Sequence, residues 1–218
     1  MPIYKAPARD ARFIVTDVLK LEAYAGLPGF EGASPDIVDA LIEGAGKFAA
    51  EVLAPLNALG DSQGCTRSAD GSVTTPDGFR EAYALFREAG WGTISAAAEF
   101  GGQGMPQVLG IVIDEFMSSA NQAFAMYPGL TNGAVGALLA KASPELQHKY
   151  VPKLVANEWL GTMNLTEPQC GTDLGLIRAQ AEPQSDGSYA ITGTKIFISA
   201  GEHDLTENII HLVLARTP

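Results

Sequence analysis

Met163-Asn164-Leu165-Thr166-Glu167-Pro168-Gln169-Cys170-Gly171-Thr172-Asp173 is the stretch on which the reading of this chain turns. The apolar run Leu160 to Thr166 reads as a strand, and it gives way at Glu167-Pro168, where proline denies the ladder a donor. Gly171 can supply a positive φ, which lets backbone N–H groups converge on a ligand. A second segment, Gly193-Thr194-Lys195-Ile196-Phe197-Ile198-Ser199-Ala200-Gly201, follows after the turn residues Ser185-Asp186-Gly187. Lys195 to Ser199 is predicted as a strand, and alternation puts Phe197 and Ser199 on one face of it. Each segment alone has an ordinary explanation. Thr166-Glu167-Pro168 reads as a strand-to-loop transition, and Phe197 as a core aromatic.

Further strands are predicted at Ile177 to Glu182, Tyr189 to Thr192 and Ile209 to Ala215. Before Trp159 the chain reads as helical by the spacing of its apolar positions. Asp10 to Ala25 carries Phe13, Val15, Leu19 and Leu21 among charges. Ser34-Pro35 opens a helix with a hydroxyl cap and proline at the first position, and Ile37, Val38, Leu41, Ile42 and Phe48 fall mostly on one face. Asn57 to Asp77, rich in Gly, Ser, Asp and Thr, is predicted as a surface loop. Thr75-Pro76 opens the next helix, with Phe79, Tyr83, Leu85 and Phe86 as core candidates and Gly90 as its end. Gly101-Gly102-Gln103-Gly104 then breaks the chain. Apolar helices follow from Pro106 to about Ala125 and from about Leu130 to Lys141, and Ser143-Pro144-Glu145 opens a last one to about Asn157.

A helical block followed by a strand block predicts an α+β fold, an all-helical domain followed by the first strands of an antiparallel β domain. The expected organisation is an extension over 1–29, a helical domain over 30–158 and a partial middle β domain over 159–218. The last piece is small for a closed antiparallel domain, so the fold is expected to be truncated.

With 46% hydrophobic and 18% charged residues in 218, the chain can bury a sizeable core. Its net charge of -11 is spread along the sequence and repels phosphate backbones and anionic lipid, which argues against nucleic acid or membrane as the main partner. No apolar run is long enough to span a bilayer, and the N-terminus, with Asp10, Asp17 and Glu22, lacks a signal-peptide core. Cys65 and Cys170 form no metal spacing or disulfide framework and read as reduced thiols of a cytoplasmic protein. His148, His203 and His211 share no ligand spacing, so no metal site is expected. His148 and His203 read as surface residues and His211 as a strand residue. The glycine loop lacks the Gly-Lys-Ser/Thr of a phosphate loop, and no Gly-x-Ser-x-Gly elbow suggests a covalent nucleophile. Asp114 and Glu115 read as a narrow polar stripe on an apolar helix.

Together the two segments resemble the flavin-contacting segments of the acyl-CoA dehydrogenase family. Thr166 to Asp173 matches its Thr-Glu-Pro-x-x-Gly-Ser/Thr-Asp signature, and Lys195 to Ser199 matches its Lys-x-Trp/Phe-Ile-Thr/Ser segment. The Gly-Gly-x-Gly loop adds modest support. The opening Met1-Pro2-Ile3-Tyr4-Lys5-Ala6-Pro7 resembles the longer bacterial members, which include 3-methylmercaptopropionyl-CoA dehydrogenase. The resemblance implies FAD, an acyl-CoA substrate, a trans-2-enoyl-CoA product, an electron-transfer flavoprotein as acceptor and a homo-oligomer. It implies a flavin site of Met163, Leu165, Thr166, Gly171, Thr172, Phe197, Ile198 and Ser199. Thr166 would meet the pyrimidine edge, Phe197 the ring system and Ser199 the region of N5, while Thr172 would lie near both cofactor and acyl-CoA. Ser118, Ala120, Ala123, Ala125 and Gly129 would border the acyl pocket, although close helix packing explains these small residues equally well. The catalytic carboxylate is expected beyond Pro218, leaving no catalytic residue in this chain. Two other readings stand beside this one: an acyl-CoA oxidase or flavin monooxygenase relative, and a non-catalytic helical binding module.

Overall fold

The computed structural model describes residues 3–218, so Met1 and Pro2 of the opening stretch lie outside it. Helix α1 (Ala8–Phe13) runs into a widened turn over Ile14–Val18, where the Leu19 N–H reaches back to the Ile14 carbonyl at 2.8 Å. Val15 and Leu21 enter the core, while Phe13 and Leu19 stay exposed. Helix α2 (Pro35–Phe48) starts with Pro35 in its first turn as expected, but the Ser34 hydroxyl makes no cap hydrogen bond. Val38, Ile42 and Ala45 form its buried stripe, which Ala49 continues into the next turn.

The predicted loop begins later than Asn57, because the helix continues into α3 (Ala54–Gln63). Pro55 accounts for how it does so. A proline lacks an N–H and clashes with the carbonyl four residues back. The turn over Ala49–Leu53 is widened, with the Ala54 N–H bonded to the Ala49 carbonyl, and the helix passes the proline instead of ending. Gly60, a breaker by sequence, lies against Phe79, whose ring atoms would sit 3.0 Å from an added Cβ. Gly64, at φ 66°, stops the helix. Residues 64–77 then hold the short antiparallel pair β1 (Thr66–Arg67) and β2 (Val73–Thr74).

Helix α4 (Phe79–Glu88) starts from Gly78 rather than Thr75-Pro76. Phe79, Tyr83 and Phe86 are buried, but Leu85 lies off their stripe and is exposed, against expectation. Tyr83 and Phe86 meet Phe124 at ring-centroid distances of 6.4 and 6.1 Å. The Gly101–Gly104 loop folds back on residues 93–97, with Gln103 N–H on the Thr93 carbonyl (2.8 Å) and Gly104 N–H on the Ala96 carbonyl (2.9 Å). A Cβ on Gly102 would lie 2.0 Å from the Ala96 oxygen, so glycine is required there.

Helices α5 (Gln107–Ala120) and α6 (Gln122–Lys141) divide at Asn121. The sequence pattern predicts the break between Ala125 and Leu130, yet α6 runs helical through Pro128. Asn121 is buried, and its carboxamide accepts the Phe124 N–H at 3.0 Å and donates to the Leu53 carbonyl at 3.2 Å. A fully paired polar cap inside the core fixes the break, and the bond lost at Pro128 does not. Helix α7 (Pro144–Val155) begins at the Ser143 cap.

Strand β3 (Leu160–Asn164) lies on α6, where the Gly161 N–H donates to the Thr131 hydroxyl at 3.1 Å. A Cβ at Gly161 would stand 2.6 Å from that of Ala134. β3 pairs in parallel with β6 (Ile209–Val213), Leu160 opposite Ile209 and Asn164 opposite Val213. Between them, β4 (Gln180–Pro183) and β5 (Tyr189–Thr192) form an antiparallel hairpin over the Ser185-Asp186-Gly187 turn. The α+β order, helices followed by small sheets, is the one expected, with one parallel ladder beside the antiparallel ones. Among the described residues no helix is long and apolar enough to cross a membrane, and no group of His, Cys, Asp and Glu could hold a metal ion.

Asn121→Ala uncaps α6 and leaves the Leu53 carbonyl without its donor. A loss of about 1–3 kcal/mol is expected in urea unfolding. A change below about 0.5 kcal/mol, the size of an ordinary surface substitution, would show that Asn121 does not set the break.

Candidate functional site

Glu167 and Cys170 exchange backbone hydrogen bonds of 2.8 and 3.0 Å, closing a tight turn with Pro168 and Gln169 at its corners. The turn sends the Glu167 side chain inward, where the residue is 3% exposed. Its Oε1 accepts from Lys195 Nζ at 2.8 Å and from the Ala179 N–H at 2.9 Å. Oε2 accepts from the Arg178 N–H at 2.7 Å and from Gln169 Nε2 at 2.6 Å. Lys195 also donates to the Leu165 carbonyl at 2.9 Å, and the Ile196 N–H donates to the Thr166 carbonyl at 3.0 Å. The two sequence segments are thus fastened to each other by a buried ion pair and a backbone bond. The Lys195 ammonium first, then the Arg178 N–H, hold the Glu167 carboxyl down to about 2 against the opposing effect of burial, with Ala179 and Gln169 adding to the effect.

Lys195 to Ser199 is not the predicted strand. Phe197 and Ala200 lie in the left-handed region, at φ 58° and 55°, which interrupts any alternation. The placement of Phe197 and Ser199 on one strand face is therefore corrected. Gly193 is held so close to Ala179 that a Cβ would stand 2.7 Å from that residue's own, and Lys195 is committed to Glu167. Phe197 is 88% exposed, so it is no core aromatic either. Gly171 is likewise corrected, since its φ is not positive. It sits beside Thr166, whose Cγ2 would be 3.5 Å from a Cβ at that position.

Met163, Leu165, Thr166 and Ile198 are half-buried, while Gly171, Thr172, Phe197 and Ser199 are exposed. The structure brings Thr166, Gly171 and the Ile196-Phe197 step together. Among the described residues no hydrogen bond links Thr172 to Phe197 or Ser199. Thr166 keeps its N–H and hydroxyl free of bonds to other described residues, and the hydroxyls of Thr172 and Ser199 are free in the same sense. An exposed aromatic ring held in a left-handed backbone beside unbonded donors is strain of the kind that accumulates at ligand sites.

Two contributions were not legible from composition or periodicity. One is the Glu167–Lys195 pairing itself. Its only sequence signal is an opposite charge in each motif. The other is the loop after Ala200. His203, expected at the surface, is 4% exposed, with its ring edge-on to Tyr127 at 5.3 Å and its Nδ1 accepting from the Leu205 N–H. Burial pushes its pKa down. Asp204 next to it accepts from the Thr75 N–H and hydroxyl at 3.0 and 2.7 Å. The polar run Gly201-Glu202-His203-Asp204 looks like solvent-facing chain, and only its distant partners bury it. His211 lies in β6 as expected, with Nδ1 2.7 Å from the Thr162 hydroxyl.

In the groove between α5 and α6 a cavity of about 200 Å³ is bordered by Asp114, Met117, Ser118, Ala125 and Gly129 among others. Of the remaining small residues, Ala120 belongs to the core and Ala123 is exposed outside the cavity. Burial raises the Asp114 pKa.

The family described as Acyl-CoA dehydrogenase, N-terminal domain matches residues 38–158. The chain is 46% identical over 215 residues to 3-methylmercaptopropionyl-CoA dehydrogenase of Ruegeria pomeroyi, covering 99% of this chain and 36% of that protein. It therefore spans little more than a third of the length of that relative. Its fold is similar to a structure described as electron transferring flavoprotein of Acidaminococcus fermentans, with a TM-score of 0.68 at 23% identity, over 83% of this chain and 43% of the other. It is also similar to acyl-CoA dehydrogenase complexed with FAD from Bacillus anthracis, with a TM-score of 0.65 at 24% identity, over 83% and 28% of the two chains.

The depressed Glu167 carboxyl makes an acid-dependent contribution to stability. A carboxyl whose pKa falls on folding stabilises fully above its unfolded value, and that share is lost as pH falls through the folded value. Here the window runs from 4.5 down to about 2. In thermal melts between pH 5 and pH 2 the protein should lose stability over this window, and Glu167→Gln should flatten that part of the profile. An unchanged slope in the variant would show that Glu167 is not the titrating group.

Proposed function

This chain belongs to the acyl-CoA dehydrogenase family, and we propose that its residues form the helical and flavin-contacting part of an FAD-dependent enzyme that converts acyl-CoA thioesters to trans-2-enoyl-CoA. The buried Glu167–Lys195 pair carries this reading, because it joins the two motifs and leaves Phe197, Thr172 and Ser199 exposed. The proposed domains are 30–158 and 159–218, after an extension over 1–29. The family match ending at 158 and the start of β3 at Leu160 support the boundary.

Thr166 would donate through its N–H and hydroxyl to the polar edge of the flavin, and the Phe197 ring would cover part of its apolar surface. Met163, Leu165, Gly171 and Ile198 would complete the contact, and Ser199 would place its hydroxyl at the reacting nitrogen. Thr172 would face both cofactor and thioester. Bound there, FAD supplies the acceptor for the hydride that leaves the β-carbon. The acyl chain would enter the cavity beside Ser118, Ala125 and Gly129, where small side chains leave space.

Proton removal from the α-carbon needs a carboxylate on the opposite face from the flavin. Glu167 is bound to Lys195 and three further donors, Asp204 to Thr75, and the Glu202 carboxylate to the His203 N–H. On the family resemblance we assign the base to sequence outside residues 1–218. An electron-transfer flavoprotein as acceptor, a homo-oligomeric assembly and a cytoplasmic location complete the proposal. The two unpaired cysteines support a reducing compartment.

Ser199→Ala should slow substrate-dependent flavin bleaching by up to about tenfold, the worth of one hydrogen bond. FAD affinity should change less, because many other contacts hold the cofactor. Equal bleaching rates in flavin-saturated parent and variant would remove Ser199 from this role.

Residues 1–218 alone, supplied with FAD, acyl-CoA esters and an artificial acceptor, should show no turnover. Turnover abolished by substituting Glu99, Asp114, Glu115, Glu167, Glu202 or Asp204 would locate the base inside this chain.

A further inference from the structure

We propose that His203 is a positioning residue for Phe197 and Ser199: its ring, accepting the Leu205 N–H, holds the loop that follows them against α6. Its bearing on catalysis rests on the flavin reading above. Upstream, the segment is fixed by the Lys195–Glu167 pair. Downstream, the chain turns back where the Gly201 N–H meets the Ile198 carbonyl at 3.2 Å, with Ala200 at φ 55°. Ala200 and Leu205 then pack on the main helical core, and His203 lies buried between them, edge-on to Tyr127.

Nδ1 of His203 accepts the Leu205 N–H at 3.2 Å. Carboxylates make the same reach across two residues elsewhere, Asp70 to the Ser72 N–H, Asp173 to Gly175 and Asp186 to Ser188. Those turns are exposed, whereas this one is buried and uses an acceptor that can be neutral. With Nδ1 accepting, the neutral ring carries its proton on Nε2. Among the described residues Nε2 is buried without a hydrogen-bond partner. A second proton would enter at Nδ1. It would set a donor against the Leu205 N–H, break the turn and place a charge where Nε2 already lacks an acceptor.

The surrounding groups do not offset that charge. Glu202 and Asp204 favour it, but the Glu202 carboxylate accepts the His203 backbone N–H, and Asp204 is held by Thr75 with Arg80 4.0 Å away. His211 of β6 opposes it, and Tyr127 of α6, with Cys65 beside it, presents a ring and no carboxylate. Burial has the largest effect and pushes the His203 pKa below 6.5. A group lowered in this way supports the fold fully above its unfolded value and loses that support as pH falls through the folded one. The loss therefore begins below pH 6.5, whereas that of Glu167 begins at 4.5.

The test compares the full-length parent protein with His203→Asn and His203→Phe between about pH 7.5 and pH 5. Asparagine keeps an acceptor for the Leu205 N–H but cannot titrate. Phenylalanine keeps a ring on Tyr127 but neither accepts nor titrates. Two quantities are read: the Kd for FAD, and hydrogen exchange of residues 196–205 in the flavin-free protein, corrected for the direct effect of pH on exchange. In the parent, FAD should bind up to about tenfold more weakly at the acid end, the worth of one hydrogen bond, and protection should fall with it. His203→Asn should flatten both profiles, and His203→Phe should bind weakly and exchange fast at every pH. Equal acid losses of affinity and protection in the parent and His203→Asn would overturn the proposal. Absence of FAD binding at any pH, with the exchange differences intact, would overturn the flavin reading and leave the positioning role in place.

Discussion

The bond between Glu167 and Lys195 is the constraint around which the C-terminal third of this chain is organised. Two charges taken out of water gain little net stability from meeting, but removing either leaves the other stranded. Such a pair therefore acts less as glue than as a statement of which segments must meet. Here it is supplemented by three further donors on the carboxylate and one carbonyl on the ammonium, so the geometry admits little alternative. The segment around Phe197 owes its position to this arrangement rather than to any sheet. That explains how a ring can be presented to solvent in a left-handed backbone and still be placed accurately.

The helical part supplies the platform. Asn121 divides α5 from α6 and at the same time ties the pair to the widened turn between α2 and α3 through the Leu53 carbonyl. On that platform β3 rests directly on α6, with Gly161 allowing the close approach and Thr131 receiving its N–H. The loop after Ala200 returns to α6 through His203 on Tyr127 and to the segment ahead of α4 through Asp204 on Thr75, so the segment around Phe197 is anchored on both sides. Cavities in the α5–α6 groove then open along one face of α6, while β3 occupies another.

Much of this was legible in the sequence, and the failures have a common cause. Helix starts at Pro35 and Pro144, the hairpin over Asp186-Gly187 and the change of character near Trp159 all follow from local chemistry. Asn57 to Gln63 misled because a widened turn rescues a proline, and periodicity carries no sign of it. Pro128-Gly129 misled because a buried cap at Asn121 overrode a breaker. Leu85 and His203 were misplaced for opposite reasons, one apolar but off the stripe, the other polar but covered from a distance. Within the candidate site, the conformation of Phe197 and the coupling of the two motifs depend on contacts between residues far apart in the chain, which motif spacing does not carry.

The parallel pairing of β3 with β6 has a consequence for how the chain is made. Chains fold from the N-terminus as they emerge from the ribosome. The helices and β3 are complete while Ile209–Val213 is still unsynthesised, so the β3 edge has no partner at that stage. Glu167 is likewise exposed to water as an unpaired carboxylate until Lys195 appears. Nascent chain paused in this interval carries an open strand edge and a charge at the position that later becomes buried. The edge invites association with other chains, and the charge opposes it.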